Sequence, residues 1–136
     1  LNIPEMWHDL EHRNLLINPV LKKVYVDEIK TKPFLLWTSF SALPEYSEMN
    51  PERQMYYAID KNQYYKLKRN GALINENEDE GKMCLEVWKY GPQILVENMN
   101  NIDPVVDPLS LYLSLKDNDD ERVEMALEKI IETYIW

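Results

Sequence analysis

The C-terminal end of the chain carries its clearest hydrophobic pattern. From Asp119 onward, apolar residues recur at intervals of three or four, and charged residues fill the positions between them. The apolar positions are Val123, Ala126, Leu127, Ile130, Ile131 and Tyr134, and the charged ones are Glu121, Arg122, Glu124, Glu128, Lys129 and Glu132. This period is typical of an amphipathic helix. We therefore predict a C-terminal helix with one buried face.

The segment before this helix fits two patterns. Residues 109–115 alternate apolar and mostly polar side chains with a period of two, which is typical of a strand. Asp107 followed by Pro108 is instead a helix start signal, and the turn-forming residues 117–120 follow. We predict a helix that forms an antiparallel hairpin with the C-terminal helix, with a strand as the alternative.

Three segments in the middle of the chain predict strands, at residues 34–40, 54–59 and 83–90. In the third strand, Leu85 and Val87 should face one side of a sheet, and Cys84, Glu86, Trp88 and Tyr90 should face the other. Residues 42–51 contain two prolines and no regular period, so they predict a loop.

Helix signals also follow the second predicted strand. Asp60 can cap a helix there, and Arg69, Asn70 and Gly71 form a basic last turn with a left-handed stop. Residues 75–81 are acidic and without a period, which indicates a solvated connection.

Two helices are predicted near the N-terminus. Pro4 at a first helical position indicates a helix over about residues 4–13. Asn18 followed by Pro19 repeats this start signal and predicts a second helix. Residues 23–29 are rich in β-branched and aromatic side chains, so a strand is the alternative there.

Together these elements predict one α+β domain over residues 1–136. We expect a small, mostly antiparallel sheet of about three strands, covered by the N-terminal helices and the C-terminal helix hairpin. The chain begins at Leu1 rather than Met, which leaves open that it is a fragment of a longer protein.

Charge and composition narrow the function classes. The chain has 24 acidic and 15 basic residues, and its formal net charge is -9. This charge repels a nucleic-acid backbone, so we expect no direct nucleic-acid binding. No apolar run approaches the roughly 18 residues of a membrane span, so we expect no membrane contact. Cys84 is the only cysteine, which excludes an internal disulfide and favours a reducing, cytoplasmic location.

One short motif could bind a metal. His8, Glu11 and His12 match the H-x-x-E-H pattern of the inverzincin metalloproteases over five residues. On a helix, the two histidines would share a face and could bind Zn²⁺, with Glu11 as general base. The best-spaced third ligand is Glu86, which lies in a predicted strand rather than in the helix that the resemblance implies. A small zinc-dependent hydrolase is therefore an alternative function, and an exposed or capped histidine pair is the simpler interpretation.

Other catalytic signals are weak. Cys84 is expected to be a buried, inert thiol. There is no G-x-S-x-G elbow and no glycine-rich phosphate loop in the sequence.

Nine tyrosines and four tryptophans accompany the acidic segments, a mixture that fits a protein-binding surface. The predicted partner-binding residues are Tyr46, Tyr64, Tyr65, Glu78, Asp79 and Glu80. We predict a non-catalytic, acidic interaction or regulatory domain that binds another protein without a cofactor. An inhibitor that mimics nucleic acid and occupies a basic partner site is a further alternative. The sequence specifies neither the partner nor the oligomeric state.

Overall fold

The computed structural model describes Glu5, residues 18–93 and residues 104–135. The predicted helix over residues 4–13 lies outside this part of the chain, apart from Glu5. The strands are β1 (Val20–Val26), β2 (Glu28–Ile29), β3 (Leu36–Trp37), β4 (Met55–Asp60), β5 (Leu73–Ile74) and β6 (Met83–Trp88). The helices are α1 (Ser39–Tyr46), α2 (Lys61–Arg69), α3 (Pro108–Leu115) and α4 (Glu121–Ile130), and a π-helical segment, Ile131–Ile135, follows α4. None of the helices in the described ranges has the length and apolarity needed to cross a membrane.

The chain is α+β, as predicted, but its main sheet is larger and differently paired. Its four strands lie in the order β1-β6-β4-β3, and β2 and β5 form a separate two-stranded sheet. β6 pairs antiparallel with β1 but parallel with β4. The parallel pair arises because α2 lies between β4 and β6 and returns the chain to the end of the sheet where β4 began. The expectation of a mostly antiparallel sheet of three strands is therefore corrected to a mixed sheet of four.

The segment after Asn18 is a strand and not the helix predicted from its start signal. The side chain of Asn18 accepts a hydrogen bond from the backbone N–H of Val20 at 2.9 Å, and here this short turn leads into β1. Val24 and Val26 are buried on one face of β1. Since a strand places alternate residues on one face, the β-branched residues of this segment outweighed the helix signal.

A second correction concerns residues 34–51, for which a strand and a loop were predicted. The strand is only the two residues of β3, and α1 follows at once. α1 has no acidic first turn, no basic last turn and a proline, Pro44, in its interior. The usual helix signals are absent, and α1 is held by burial of Ala42, Leu43 and Tyr46.

The helices predicted to start at Asp60 and Asp107 and the C-terminal helix are confirmed. Asp60, Asp107 and Asp120 cap α2, α3 and α4 through their side chains, and Gly71 ends the α2 region at φ 67°. Residues 109–115 are helical because most of α3 is buried, and a helix buried on nearly all sides need not show a helical period.

The sheet separates two hydrophobic clusters. One cluster contains Trp88 and Ala58 together with the buried side chains of α1, α3 and α4. The other contains Leu85 and Val87 together with the buried side chains of α2 and β1. The predicted facing of β6 is thus confirmed for Leu85, Val87 and Trp88.

Gly81 should be the least replaceable glycine. An alanine Cβ at this position would lie 2.9 Å from the carbonyl oxygen of Val26 and 3.0 Å from its nitrogen. We expect Gly81→Ala to lower the free energy of unfolding by roughly 1–3 kcal/mol, because backbone would have to shift. At Gly91 the same Cβ would meet only the far end of the Gln93 side chain, so Gly91→Ala is the matched control. Urea unfolding of both variants measures the difference, and equal losses would contradict the prediction.

Candidate functional site

Within the described ranges, a groove between α4 and the segment that follows α1 has clear binding character. Burial of Val123 and Ile130 fixes the rotation of α4, so that Arg122, Met125 and Lys129 form one wall. Residues 47–50 form the opposite wall. The groove has a volume of about 380 Å³. We call it the methionine groove, because Met49 and Met125 lie on its two walls.

The two methionines have different environments. Met125 is 70% exposed, the highest value among the exposed large hydrophobic residues in the described ranges. Met49 is partly buried and packs against the core cluster that contains Trp88. Ala126 is buried beside them at the base of the groove. The groove thus combines one anchored apolar side chain with one that is presented to solvent.

Ion pairs join the two walls at the rim. Lys129 Nζ lies 3.2 Å from Glu48 Oε1 across the groove. Arg122 Nη2 lies 3.0 Å from Asp120 Oδ2 and 3.9 Å from Glu52 Oε1. The hydrogen bonds from Arg122 hold the pKa of Asp120 below its usual value. Both basic residues of the groove therefore already have an acidic partner within the chain.

A second set of charges lies beside the groove on the outer side of α4. Glu121, Glu124 and Glu128 are exposed and follow one another at spacings of three and four residues. We call them the glutamate ridge. None of them forms an ion pair with another residue in the described ranges. Like charges at these spacings repel, and the helix N-terminus offsets this only in the first turn, at Glu121 and Glu124, so the ridge remains a negative surface without a cationic partner in the described ranges.

Two of the predicted partner-binding tyrosines are buried, so this part of the predicted surface needs correction. The hydroxyl of Tyr46 donates to the carbonyl oxygen of Val106 at 2.8 Å, and its ring packs against Tyr134. Tyr64 lies in the opposite core cluster and donates its hydroxyl to Glu76. Both rings lie on the inner sides of their helices, where they stabilise the core and offer no surface to a partner.

The other predicted residues remain accessible. Tyr65 is 38% exposed, and the ammonium of Lys22 lies 5.3 Å from the centre of its ring. Glu78, Asp79 and Glu80 are exposed in the connection before β6. Asn77 orders this connection, because its side-chain oxygen accepts the backbone N–H groups of Asp79 and Glu80 at 2.8 and 2.9 Å.

Beneath the sheet lies a polar cluster centred on Glu86, which is 1% exposed. Oε1 of Glu86 accepts hydrogen bonds from the Thr38 hydroxyl at 3.0 Å and from the Trp88 indole at 3.2 Å. Nζ of Lys23 lies 3.8 Å from Oε2, and its own side chain is half exposed. Burial raises the pKa of Glu86, and these three partners oppose that rise. The cluster links β1, β6 and the start of α1.

Two more buried groups are relevant to chemistry. Burial raises the pKa of the Cys84 thiol to about 11, so the thiol is protonated and unreactive at neutral pH. Asp107 caps α3 with Oδ2, which accepts the N–H of Ser110 at 2.7 Å. Its other oxygen, Oδ1, has no hydrogen-bond partner in the described structure. Burial raises the pKa of Asp107 to about 6.

The zinc hypothesis rests on residues that the structure does not describe. His8, Glu11 and His12 all lie outside the described ranges, so their role remains a prediction. Within the described ranges, no group of three or more histidine, cysteine, aspartate or glutamate side chains is placed to bind a metal ion. The carboxylate of Glu86, the expected third ligand, is engaged by Thr38 and Trp88.

Comparison with known proteins adds no family assignment. No family model matches the chain, and the searches of curated proteins and of solved structures found no similar protein. The methionine groove and the polar cluster are therefore interpreted from their own geometry.

Sequence reasoning did not find the groove. Its two walls are formed by residues more than 70 positions apart, and nothing in the sequence indicates that they meet. One local signal was available: Met125 is an apolar residue among the polar positions of the C-terminal helix. An apolar residue off the buried stripe of a helix is a candidate contact residue.

Proposed function

We propose that the chain is a non-catalytic interaction or regulatory domain that binds another protein at the methionine groove. One observation carries the proposal: the largely exposed side chain of Met125 lies at a groove with an apolar base. Single exposed apolar residues are common on protein surfaces. A large one beside a concave apolar site is more typical of a binding surface.

The chemistry of methionine supports this interpretation. Its side chain is unbranched and polarizable, so it adapts to apolar partners of different shapes, and it is enriched in protein interfaces. Met49 packs against the core and offers a fixed contact, whereas the largely exposed side chain of Met125 can change its conformation to fit the partner. A partner side chain placed between them would exchange contact with water for contact with two thioethers.

The buried ionisable groups favour a structural role over a catalytic one. Glu86 is engaged by Thr38 and Trp88, and Cys84 is a protonated, fully buried thiol. General acid–base and nucleophilic catalysis both require a group that can reach a substrate. In the described structure, these two groups lie below the surface.

The alternative of a nucleic-acid mimic is favoured by the glutamate ridge. Its three carboxylates lie within about 10 Å along α4, given a rise of 1.5 Å per residue. Binding through the ridge alone would weaken steeply with salt and would not depend on Met125. The effect of salt and the effect of replacing Met125 therefore distinguish the nucleic-acid mimic from docking in the groove.

The proposal can be tested by photo-crosslinking from the groove. Replacement of Met125 with p-benzoylphenylalanine should give a discrete adduct in an extract of the source cells. An excess of the unlabelled wild-type protein should compete the adduct away. An excess of the Met125→Glu variant should compete at least about tenfold less well, because a carboxylate at an apolar contact costs more than 1.4 kcal/mol.

Two controls make the result specific. The same crosslinker at Leu21, which is also exposed, should not give this adduct. Met125→Glu should unfold at the same urea concentration as wild type, since Met125 lies outside the core. Absence of a discrete adduct, or equal competition by both proteins, would contradict the proposed function.

A further inference from the structure

We infer that the occupant of the methionine groove is a basic amphipathic segment of the partner protein. Its apolar side chain would lie between Met49 and Met125, and its lysine or arginine residues would contact the glutamate ridge. This inference rests on the function proposed above and specifies the chemistry of the partner.

The distribution of charge around the groove carries the inference. The basic groups Arg122 and Lys129 are paired with Asp120 and Glu48 at 3.0 and 3.2 Å. An acidic partner would have to displace these pairs. The glutamate ridge forms no ion pair with other described residues, and cations brought by a partner would relieve its internal repulsion.

The groove and the ridge are close enough to bind one segment. Met125 lies four residues after Glu121 and three before Glu128, so it neighbours both along the helix surface. It also lies three residues after Arg122 and four before Lys129, which form the groove wall. A segment with an apolar residue flanked by cations, repeated over about two helical turns, fits this arrangement.

A second copy of the chain fits the groove less well. In a two-fold symmetric contact the same patch lies on both sides of the interface, so both glutamate ridges would be brought into one interface. The formal net charge of -9 on each copy would add to this repulsion. A nucleic acid is disfavoured by the same charge.

The inference can be tested with a synthetic helical peptide of leucine and lysine, about 14 residues long, or four turns. Fluorescence anisotropy at about 0.15 M salt would measure its binding to the full chain. We expect micromolar affinity, a loss of roughly tenfold with Met125→Ser, and a similar loss with the double variant Glu124→Gln and Glu128→Gln. Leu21→Ser, a matched change at another exposed apolar residue, should have no effect.

Two comparison peptides determine the outcome. A peptide with glutamate in place of lysine should bind at least tenfold more weakly. Equal binding of that peptide would overturn the basic partner but leave docking in the groove intact. Equal binding of a lysine and serine peptide would overturn the apolar anchor and favour the nucleic-acid mimic. A wild-type dimer in sedimentation analysis that dissociates on Met125→Ser would instead show that a second copy is the occupant.

Different results would contradict the interaction domain and the basic partner segment. If the crosslinked adduct forms at Met125 but no leucine and lysine peptide binds, the basic partner is wrong and the interaction domain stands. If no competable adduct forms, the interaction domain itself is wrong.

Discussion

Replacement of Glu86 with alanine should lower the free energy of unfolding by about 3 kcal/mol or more, whereas replacement with glutamine should lower it by clearly less. Alanine would leave the Thr38 hydroxyl and the Trp88 indole as buried donors without an acceptor, at about 1–3 kcal/mol each. Glutamine keeps an acceptor oxygen for both donors, so it preserves these two hydrogen bonds. The ion pair with half-exposed Lys23, at 3.8 Å, contributes little.

The pH dependence provides a second readout for Glu86. Burial raises its pKa in the folded protein above that in the unfolded chain. The folded state therefore holds the proton more tightly, and the resulting stabilisation is lost as the pH rises through the folded-state pKa. The free energy of unfolding of Glu86→Gln, measured with urea, should therefore fall less between pH 4 and pH 8 than that of wild type. Glu28→Gln, at an exposed glutamate outside the glutamate ridge, is the control and should show the same change with pH as wild type. Equal destabilisation by glutamine and alanine would contradict this account.

Over its whole titration, Asp107 should cost the wild-type protein about 3 kcal/mol of stability, most of it between pH 4 and pH 7. Its pKa is raised from 3.8 to about 6 by burial, and each pKa unit corresponds to about 1.36 kcal/mol. The sign follows from the raised value: the stabilisation is complete below pH 3.8 and is lost as the pH approaches and passes 6. Asp107→Asn should remove this loss, because asparagine caps a helix about as well as aspartate but carries no charge.

A matched variant exists at the start of α4. Asp120 is also an N-cap, but it is paired with Arg122 and its pKa is lowered. Its stabilisation is therefore lost as the pH falls below the usual range of an aspartate. Asp120→Asn should alter the unfolding profile below about pH 4, and Asp107→Asn should alter it between about pH 4 and 7. Similar profiles for the two variants would show that burial of Asp107 is not the cause.

The sequence predicted best those elements whose ends carry side-chain signals. Asp60 and Asp107 each form the cap that their helix start implies. α1 was missed because the apolar residues 34–40 were assigned to one strand and because a proline, Pro44, lies in the interior of the helix. Thr38 precedes α1 but does not cap it, since its hydroxyl donates to Glu86.

The error at β1 has a related cause. The side chain of Asn18 accepts a hydrogen bond from the N–H of Val20, two residues later. This short-range hydrogen bond occurs both at helix starts and in other turns. Only pairing with β6, about 60 residues away, determines that a strand follows. The parallel pairing of β4 and β6 is likewise a property of topology that no single segment contains.

The candidate site was less predictable than the fold. Tyr46 and Tyr64 were expected at the surface, but a tyrosine can be buried when its hydroxyl finds an acceptor, here Val106 and Glu76. Burial of this kind depends on partners that are distant in sequence. Met125 could have been singled out by its place in the helical pattern, but Met49 could not.

The edge of the sheet at β3 has a consequence for how the protein folds during synthesis. The backbone oxygen of Trp37 accepts a hydrogen bond from the N–H of Val106 at 2.9 Å, and its N–H donates to the oxygen of Pro104 at 2.7 Å. A segment nearly 70 residues later therefore covers this edge. The core beneath it also requires Ile130, close to the end of the chain. A nascent chain that has already paired its four strands still exposes an unpaired edge and an apolar sheet face. Completion of this core, and protection from association with other nascent chains, must therefore wait until α4 leaves the ribosome.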